Sequence, residues 1–284
     1  TGDHLGLGGL DSIGQLANVK GVVVDAVPRS GTAVLNADDS HVYRMGRHCA
    51  GRVVLFGMSM TKGEDGYDRV DGHTSRGGAA FRLEQTDEGE LIVLKLGSRT
   101  MPVLYTHLVP ATFGGRARMN VANALAASAG AWAAGAHLHD IRQGLRTFST
   151  SFFQAPGRCN VFDEHPFRVI VDYGHNAAAV GQMVELVKSL RKRRAIGVLQ
   201  AAGDRRDEDI LAIGRIAASA FDVVIAKEDD SRRGRAEGAV ASLLAAGARE
   251  GGLSPESVLQ ITNEPDAVLR SLSVAEAEDL VVIF

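Results

Sequence analysis

The run Val169-Ile170-Val171-Asp172-Tyr173-Gly174-His175-Asn176 constrains the fold of this chain more than any other segment. A β-branched apolar stretch stops abruptly at Asp, Gly, His and Asn, and Ala177 then begins a helix-like segment. Such a stretch reads as a buried parallel strand whose carboxyl end presents polar groups beside a helix amino terminus, where phosphate is attracted. An aspartate there can accept hydrogen bonds from ribose hydroxyls, and His175 and Asn176 can reach phosphate or substrate. By itself the segment points to a nucleotide site.

The chain on either side has two rhythms. Residues 21–27, 32–35, 52–57, 79–83, 91–95 and 101–105 read as short strands separated by Gly and Asp clusters. Residues 59–74 read as a polar, Gly-rich surface loop, and 120–136 and 139–148 as two helices. Beyond Pro156 the pattern alternates. Strand-like runs at 167–172, 195–199, 222–226, 258–261 and 280–284 are separated by amphipathic stretches at 176–191, 207–219, 235–250 and 264–273. That spacing predicts right-handed crossovers and an α/β fold with a mostly parallel, doubly wound, Rossmann-like sheet. Polar clusters at 172–176, 203–207 and 228–235 then share one sheet edge, the usual ligand edge. The division between domains is placed near residue 155.

Charge and composition narrow the function classes. With 31 Lys and Arg against 34 Asp and Glu, the net charge is −3, which gives no electrostatic case for nucleic acid or an anionic membrane. The basic run 188–194 reads as the polar end of a helix, where cations oppose the negative dipole. Two cysteines, Cys49 and Cys159, have no CxxC spacing and are expected as reduced thiols of a cytoplasmic protein. The Ala-rich stretch 122–136 is too short and too weakly apolar to span a bilayer. No G-x-G-x-x-G follows a strand, which counts against a dehydrogenase, and Leu5-Gly6-Leu7-Gly8-Gly9 lacks a preceding strand.

Several segments occur in a telling order. They are Thr1-Gly2-Asp3-His4-Leu5-Gly6, Val34-Leu35-Asn36-Ala37-Asp38-Asp39, Met119-Asn120-Val121-Ala122-Asn123, Pro156-Gly157-Arg158-Cys159-Asn160 and the 172–176 run. With Gly203-Asp204-Arg205-Arg206-Asp207-Glu208-Asp209 and Asp229-Asp230-Ser231-Arg232-Arg233-Gly234-Arg235, the chain resembles the Mur-ligase-type region of the cyanophycin synthetase family. The resemblance implies part of a Mur-ligase central ATPase domain over 1–155 and a Rossmann-like carboxyl-terminal domain over 156–284. It also implies an ATP-dependent ligase that activates a carboxylate as an acyl phosphate for attack by an amine. In this family the amine is expected to be arginine, joined to aspartate side chains of a growing polymer. The implied partners are therefore ATP, Mg²⁺, arginine and the aspartate polymer, in a homo-oligomeric full-length enzyme.

The same resemblance assigns residues. His4 matches a histidine that helps hold magnesium, although Mg²⁺ prefers oxygen and a single histidine would be a minor ligand. Asn120 matches an asparagine that reads adenine, for which an amide offers both donor and acceptor; it also suits a helix N-cap. Arg158 matches a hinge arginine whose planar fork suits ATP phosphates. Asp172 matches the ribose-binding aspartate, its plainer alternative being a cap for the next helix, and His175 and Asn176 match the pair at the junction of nucleotide and substrate. For the incoming arginine, Asp230 and Arg233 match an acidic-then-basic motif. Asp204, Asp207, Glu208 and Asp209 could add charge, although acids at 207–209 also suit the start of a helix.

The chain departs from the family pattern in several places. No G-x-x-x-x-G-K-[ST] loop is present, nor an ATP-grasp region, so the chain reads as a fragment expected to be inactive alone. Gly174 and Ala177 replace a commoner alanine and proline. Two other readings stay open: a folate or peptidoglycan ligase of the same type, and a non-catalytic nucleotide-binding scaffold.

Overall fold

A computed structural model describes residues 2, 4–6 and 8–284. The chain divides into two compact units, one of Leu10–Phe148 and one of Ser149–Phe284 with Thr1–Gly9. The sequence suggested a division near residue 155. The units instead part before Ser149, and the buried Asn160 side chain ties the intervening turn to the second unit. Its Nδ2 donates to the carbonyls of Thr150 and Ala155, both at 2.8 Å, and its Oδ1 accepts from the Gly157 amide at 2.6 Å.

The first unit is a sheet covered on both faces. It runs α1 (Ile13–Asp25), β1 (Thr32–Asn36), α2 (Ser40–Met45), β2 (Arg52–Gly57), α3 (Asp65–Ser75), β3 (Ala79–Thr86), β4 (Gly89–Leu96), β5 (Arg99–Tyr105), α4 (Arg118–Ala133) and α5 (Leu138–Thr147). Strand order follows chain order; β1, β2 and β3 are parallel, and β3, β4 and β5 form an antiparallel meander. The period of two along each strand separates the faces. Val54, Ala79, Phe81 and Leu83 pack with Val121, Leu125 and Ala129 of α4 and with Ile141 and Leu145 of α5. Leu35, Leu55 and Ala80 turn the other way, towards Val24 of α1 and Val70 of α3.

Two sequence expectations fail in this unit. The run 21–27 is not a strand but the end of α1. Ser12 and Gln15 form a capping box that starts the helix upstream, and only Leu16, Gly21 and Val24 turn inward. Val19, Val22 and Val23 remain exposed, Val23 at 74%. β-Branched composition misleads here because propensity yields to a cap and a helical burial stripe. The stretch 59–74 is not all loop, since α3 begins at Asp65. Gly66 makes this possible: a Cβ there would lie 2.0 Å from Asp38 Oδ1.

The second unit has the alternating order expected. Its elements are β6 (Asn160–Phe162), β7 (Arg168–Val171), α6 (Ala177–Ser189), β8 (Ala195–Leu199), α7 (Asp207–Ala218), β9 (Val223–Ala226), α8 (Ala239–Glu250), β10 (Val258–Gln260), α9 (Glu264–Val274) and β11 (Leu280–Ile283). The sheet order is β10-β9-β8-β11-β7-β6, parallel throughout except for β6. From β7 the chain steps outward through β8 and β9 to β10 and then returns to insert β11. Right-handed crossovers therefore put α6, α7 and α8 on one face and α9 on the other. Ala267 and Leu272 of α9 accordingly pack on Val169, Ile196, Val198, Ile225 and Val281.

Helices α7 and α8 approach backbone to backbone because each brings a glycine. A Cβ on Gly214 would meet the Leu244 carbonyl at 2.2 Å, and one on Gly247 would meet the Leu211 carbonyl at 2.1 Å. The basic run after α6 is absorbed structurally. Lys192 Nζ donates to the carbonyls of Val187 (2.7 Å) and Leu190 (3.4 Å), closing the helix, while Arg193 and Arg194 pair with the buried Asp279. No helix among the described residues is long and apolar enough to cross a membrane.

Candidate functional site

Because β7, β8 and β9 run parallel, the turns that follow them share the carboxyl edge of the second unit's sheet. That edge holds most of the residues singled out from the sequence.

At the end of β7 the Asp172 carboxylate is held by three donors. Its Oδ1 accepts from the Gly174 amide at 2.8 Å, and its Oδ2 accepts from the Cys159 amide at 3.0 Å and the Cys159 thiol at 3.2 Å. A carboxylate has about four acceptor positions, so room remains for about one further hydroxyl. Burial, then the Asp172 charge, pushes the Cys159 thiol well above its ordinary range, and it stays a donor. Gly174 suits this turn better than alanine would, because a Cβ would sit 3.0 Å from the Phe284 ring and 3.2 Å from Asp172 Oδ1.

Asp172 does not cap the next helix. Asn176 does, its Oδ1 accepting from the Ala179 amide at 2.9 Å. Arg158 is exposed and lies with its guanidinium 5.1 Å from the Tyr173 ring centre. His175 meets the same ring edge-on, and its Nδ1 is 3.2 Å from the Tyr173 carbonyl. Arg158, Asp172, Tyr173, His175 and Asn176 thus form one polar and aromatic cluster.

The turns after β8 and β9 are laced together. Arg235 Nε donates to the Gly203 carbonyl at 2.6 Å, and its other nitrogens reach the Arg205 carbonyl and, at 2.7 Å, the Asp207 carboxylate. Gly203 allows this closeness, since a Cβ would lie 2.2 Å from the Arg232 carbonyl. Asp204 pairs with Arg205 at 3.0 Å and with Arg233 at 2.9 Å. Desolvation works to raise the Asp204 pKa, but these two arginines outweigh it and hold the carboxyl below the usual carboxylate range. Asp230 is exposed, and its side chain has no hydrogen bond or ion pair among the described residues. Asp207, Glu208 and Asp209 lie in the first turn of α7 and pair with Arg235 and Arg206, so helix-end electrostatics accounts for them.

Three supporting residues escaped the sequence reading of the site. Glu228 is buried and caps α8 from ten residues upstream, accepting from the amides of Gly238 and Val240, both at 2.9 Å. Lys227, 1% exposed, donates to Gln200 Oε1 at 2.8 Å and to Glu264 Oε2 at 2.7 Å, joining β8 and α9. Arg235 is the staple described above. Lys227 and Glu228 show in the sequence as a charged pair directly after an apolar strand, and Arg235 closes the 229–235 run.

Two assigned residues remain. Asn120 belongs to the first unit and is not the N-cap of α4; that position is Ala117, which makes no side-chain capping bond. The Asn120 amide instead ties down its surroundings, donating to the Ala111 carbonyl at 2.7 Å and accepting from Asn123 at 3.2 Å. His4 is exposed in a turn that lies against Arg206 at Gly6. The neighbouring Asp3 lies outside the described residues. Among the described residues no three His, Cys, Asp or Glu side chains group as a metal site.

The second unit's mostly parallel sheet carries a charged carboxyl edge, and residues 157–284 match the family described as Mur ligase, glutamate ligase domain. Over its length the chain is similar to cyanophycin synthetases. It is 41% identical to that of Crocosphaera subtropica, covering 99% of this chain and 31% of the relative. It is 39% identical to that of Trichormus variabilis, covering 99% and 30%. Among solved structures, E. coli FolC in complex with DHPP and ADP superposes with a TM-score of 0.63 at 18% identity, over 95% of this chain and 53% of that one, which shows the shared fold. The chain spans about a third of the length of the curated relatives it matches.

Proposed function

We propose that this chain is the Mur-ligase-type part of an ATP-dependent amide-bond ligase that joins arginine to the aspartate side chains of cyanophycin, multi-L-arginyl-poly-L-aspartate. The observation that carries the reading is the meeting, on one sheet edge, of the Asp172 cluster with the Asp204–Arg233 pair. The first suits a nucleotide and the second a charged amino acid, as the similarity to cyanophycin synthetases supports. The polymer carboxylate attacks the γ-phosphorus of ATP and ADP leaves. The arginine amine then attacks the acyl carbonyl, phosphate departs, and the amine gives up a proton.

Arg158 approaches the phosphates, Asp172 accepts from ribose, and His175 and Asn176 lie where nucleotide meets substrate. Asp204, Asp230 and Arg233 receive the arginine. Positioning and charge carry such phosphoryl chemistry. Magnesium is part of the proposal for the family reaction, and no step is assigned to it. A cytoplasmic setting and a homo-oligomer belong to the same proposal.

ADP release with arginine, lysine, glutamate or diaminopimelate, by a longer protein that contains this chain, tests the reading. Arginine-dependent release is the expected result. Release driven by glutamate or diaminopimelate would move the protein to the folate or peptidoglycan ligases. Nucleotide binding without turnover on any of the four would favour a scaffold.

A further inference from the structure

The Asp204–Arg233 pair joins the two charges that an incoming arginine needs most. Arg233 Nη1 lies 2.9 Å from Asp204 Oδ2, while Asp204 Oδ1 is kept by Arg205, whose side chain is 8% exposed. Both members of the outer pair face solvent, Arg233 at 43% and Asp204 at 30%. Such exposed pairs contribute little to stability. The frame around this one does not depend on it. Arg235 fixes the two turns to each other through the Gly203 and Arg205 carbonyls, and Glu228 anchors the far end of the β9 turn on α8. Arg233 itself is held in the left-handed region, φ 48°, ahead of Gly234 at φ 90°.

We infer that arginine enters by exchange of ion pairs: its α-carboxylate takes Arg233 from Asp204, and its guanidinium replaces Arg233 on the Asp204 carboxylate. The inference rests on the reading of this edge as the amino-acid site and adds how that site selects its substrate class. A ligand with only a carboxylate would engage Arg233 but remove a partner from Asp204. A ligand with only a guanidinium would set its cation against Arg233 with nothing to draw Arg233 aside. Only an amino acid bearing both an α-carboxylate and a side-chain cation leaves every charge paired. Asp204 sits below the ordinary carboxylate range and Arg233 above the ordinary arginine value, through their mutual hydrogen bond and charge, so the exchange moves no proton near neutral pH.

Calorimetric titration with L-arginine, agmatine (which lacks the carboxylate) and L-citrulline (whose side chain is neutral) tests this on the wild-type protein and on Asp204→Asn and Asp204→Glu. Wild type is expected to bind arginine at least about tenfold more tightly than either analogue. Asp204→Asn should weaken arginine by about tenfold or more and leave citrulline equal or tighter, because Arg233 is then free; Asp204→Glu should keep the arginine preference. If Asp204→Asn weakens arginine and citrulline in equal measure, the pair is only structural and the exchange is refuted while the arginine site stands. An unchanged arginine preference in Asp204→Asn refutes it too. If wild type binds none of the three, the reading of the edge falls and the exchange falls with it.

Discussion

Removing the Glu228 carboxylate should unfold the candidate edge from its base. Glu228 is 6% exposed, and its two oxygens accept from the amides of Gly238 and Val240 at 2.9 Å and of Ala241 at 3.4 Å. Helix α8 has no other side-chain cap, since its N-cap residue is Gly238 at φ 79°. A hydrogen bond to a charged group is worth about 1.5–3 kcal/mol, and an anion at a helix amino terminus adds about 0.3–1 kcal/mol. Burying a carboxylate has a desolvation cost, but here several backbone donors offset it, and deleting the acid would strand those donors away from water. Glu228→Ala should therefore lose about 3–5 kcal/mol, two bonds of that kind less some relaxation. Glu228→Gln, which keeps the volume and one acceptor, should lose about 1.5–3 kcal/mol. Urea unfolding with an unchanged m-value measures both. A loss below about 0.5 kcal/mol in Glu228→Ala would mean that water or another group satisfies the helix end and that the cap argument is wrong.

Two further outcomes follow from local geometry. Gly203→Ala should cost about 1–3 kcal/mol in urea unfolding and weaken arginine binding, because the added Cβ meets the Arg232 carbonyl at 2.2 Å and must push the β9 turn away; an unchanged arginine affinity would separate that turn from the site. His73 carries a pH effect: burial, opposed in part by its hydrogen bond to the Val53 carbonyl, holds its pKa below the ordinary 6.5. The fold therefore favours the neutral ring, so the contribution is complete above pH 6.5 and is lost as pH falls from there through the depressed folded value. The slope of unfolding free energy against pH below 6.5 should shrink in His73→Gln, and an equal slope in both proteins would refute the assignment.

The alternating half was legible because every strand there is a short apolar run and every crossover an amphipathic stretch. Parallel pairing then placed the three polar clusters on one edge without further information. Residues 21–27 were misread because Val22, Val23 and Val24 look like strand, while the deciding signal, Ser12 with Gln15, lies a full turn or more upstream. The α3 helix was missed because Gly, Asp and His dilute its inward stripe of Val70 and Thr74. At the site, the types and order of Asp172, His175, Asn176 and Arg233 could be read, but most of their partners could not. That Asn176 and not Asp172 caps α6 is a local contact three residues apart, readable as an N-cap; that Cys159 donates to Asp172 and that Arg233 lies on Asp204 are long-range contacts, which no local pattern encodes.

Whether Asp172 reads a nucleotide is the point on which the account turns most directly. The measurement is the ATP dependence of arginine-driven ADP release, with calorimetric titration of ADP, in wild type and Asp172→Asn of a longer protein containing this chain. An asparagine leaves at least one of the three donors at Cys159 and Gly174 facing an amide nitrogen, so some stability is lost on any reading. The account predicts in addition a rise of about tenfold or more in the ATP requirement and a matching loss of ADP affinity, the worth of one charge-assisted bond to ribose. Lost stability with an unchanged ATP requirement would contradict it and leave Asp172 as a structural tie for the 157–174 turn.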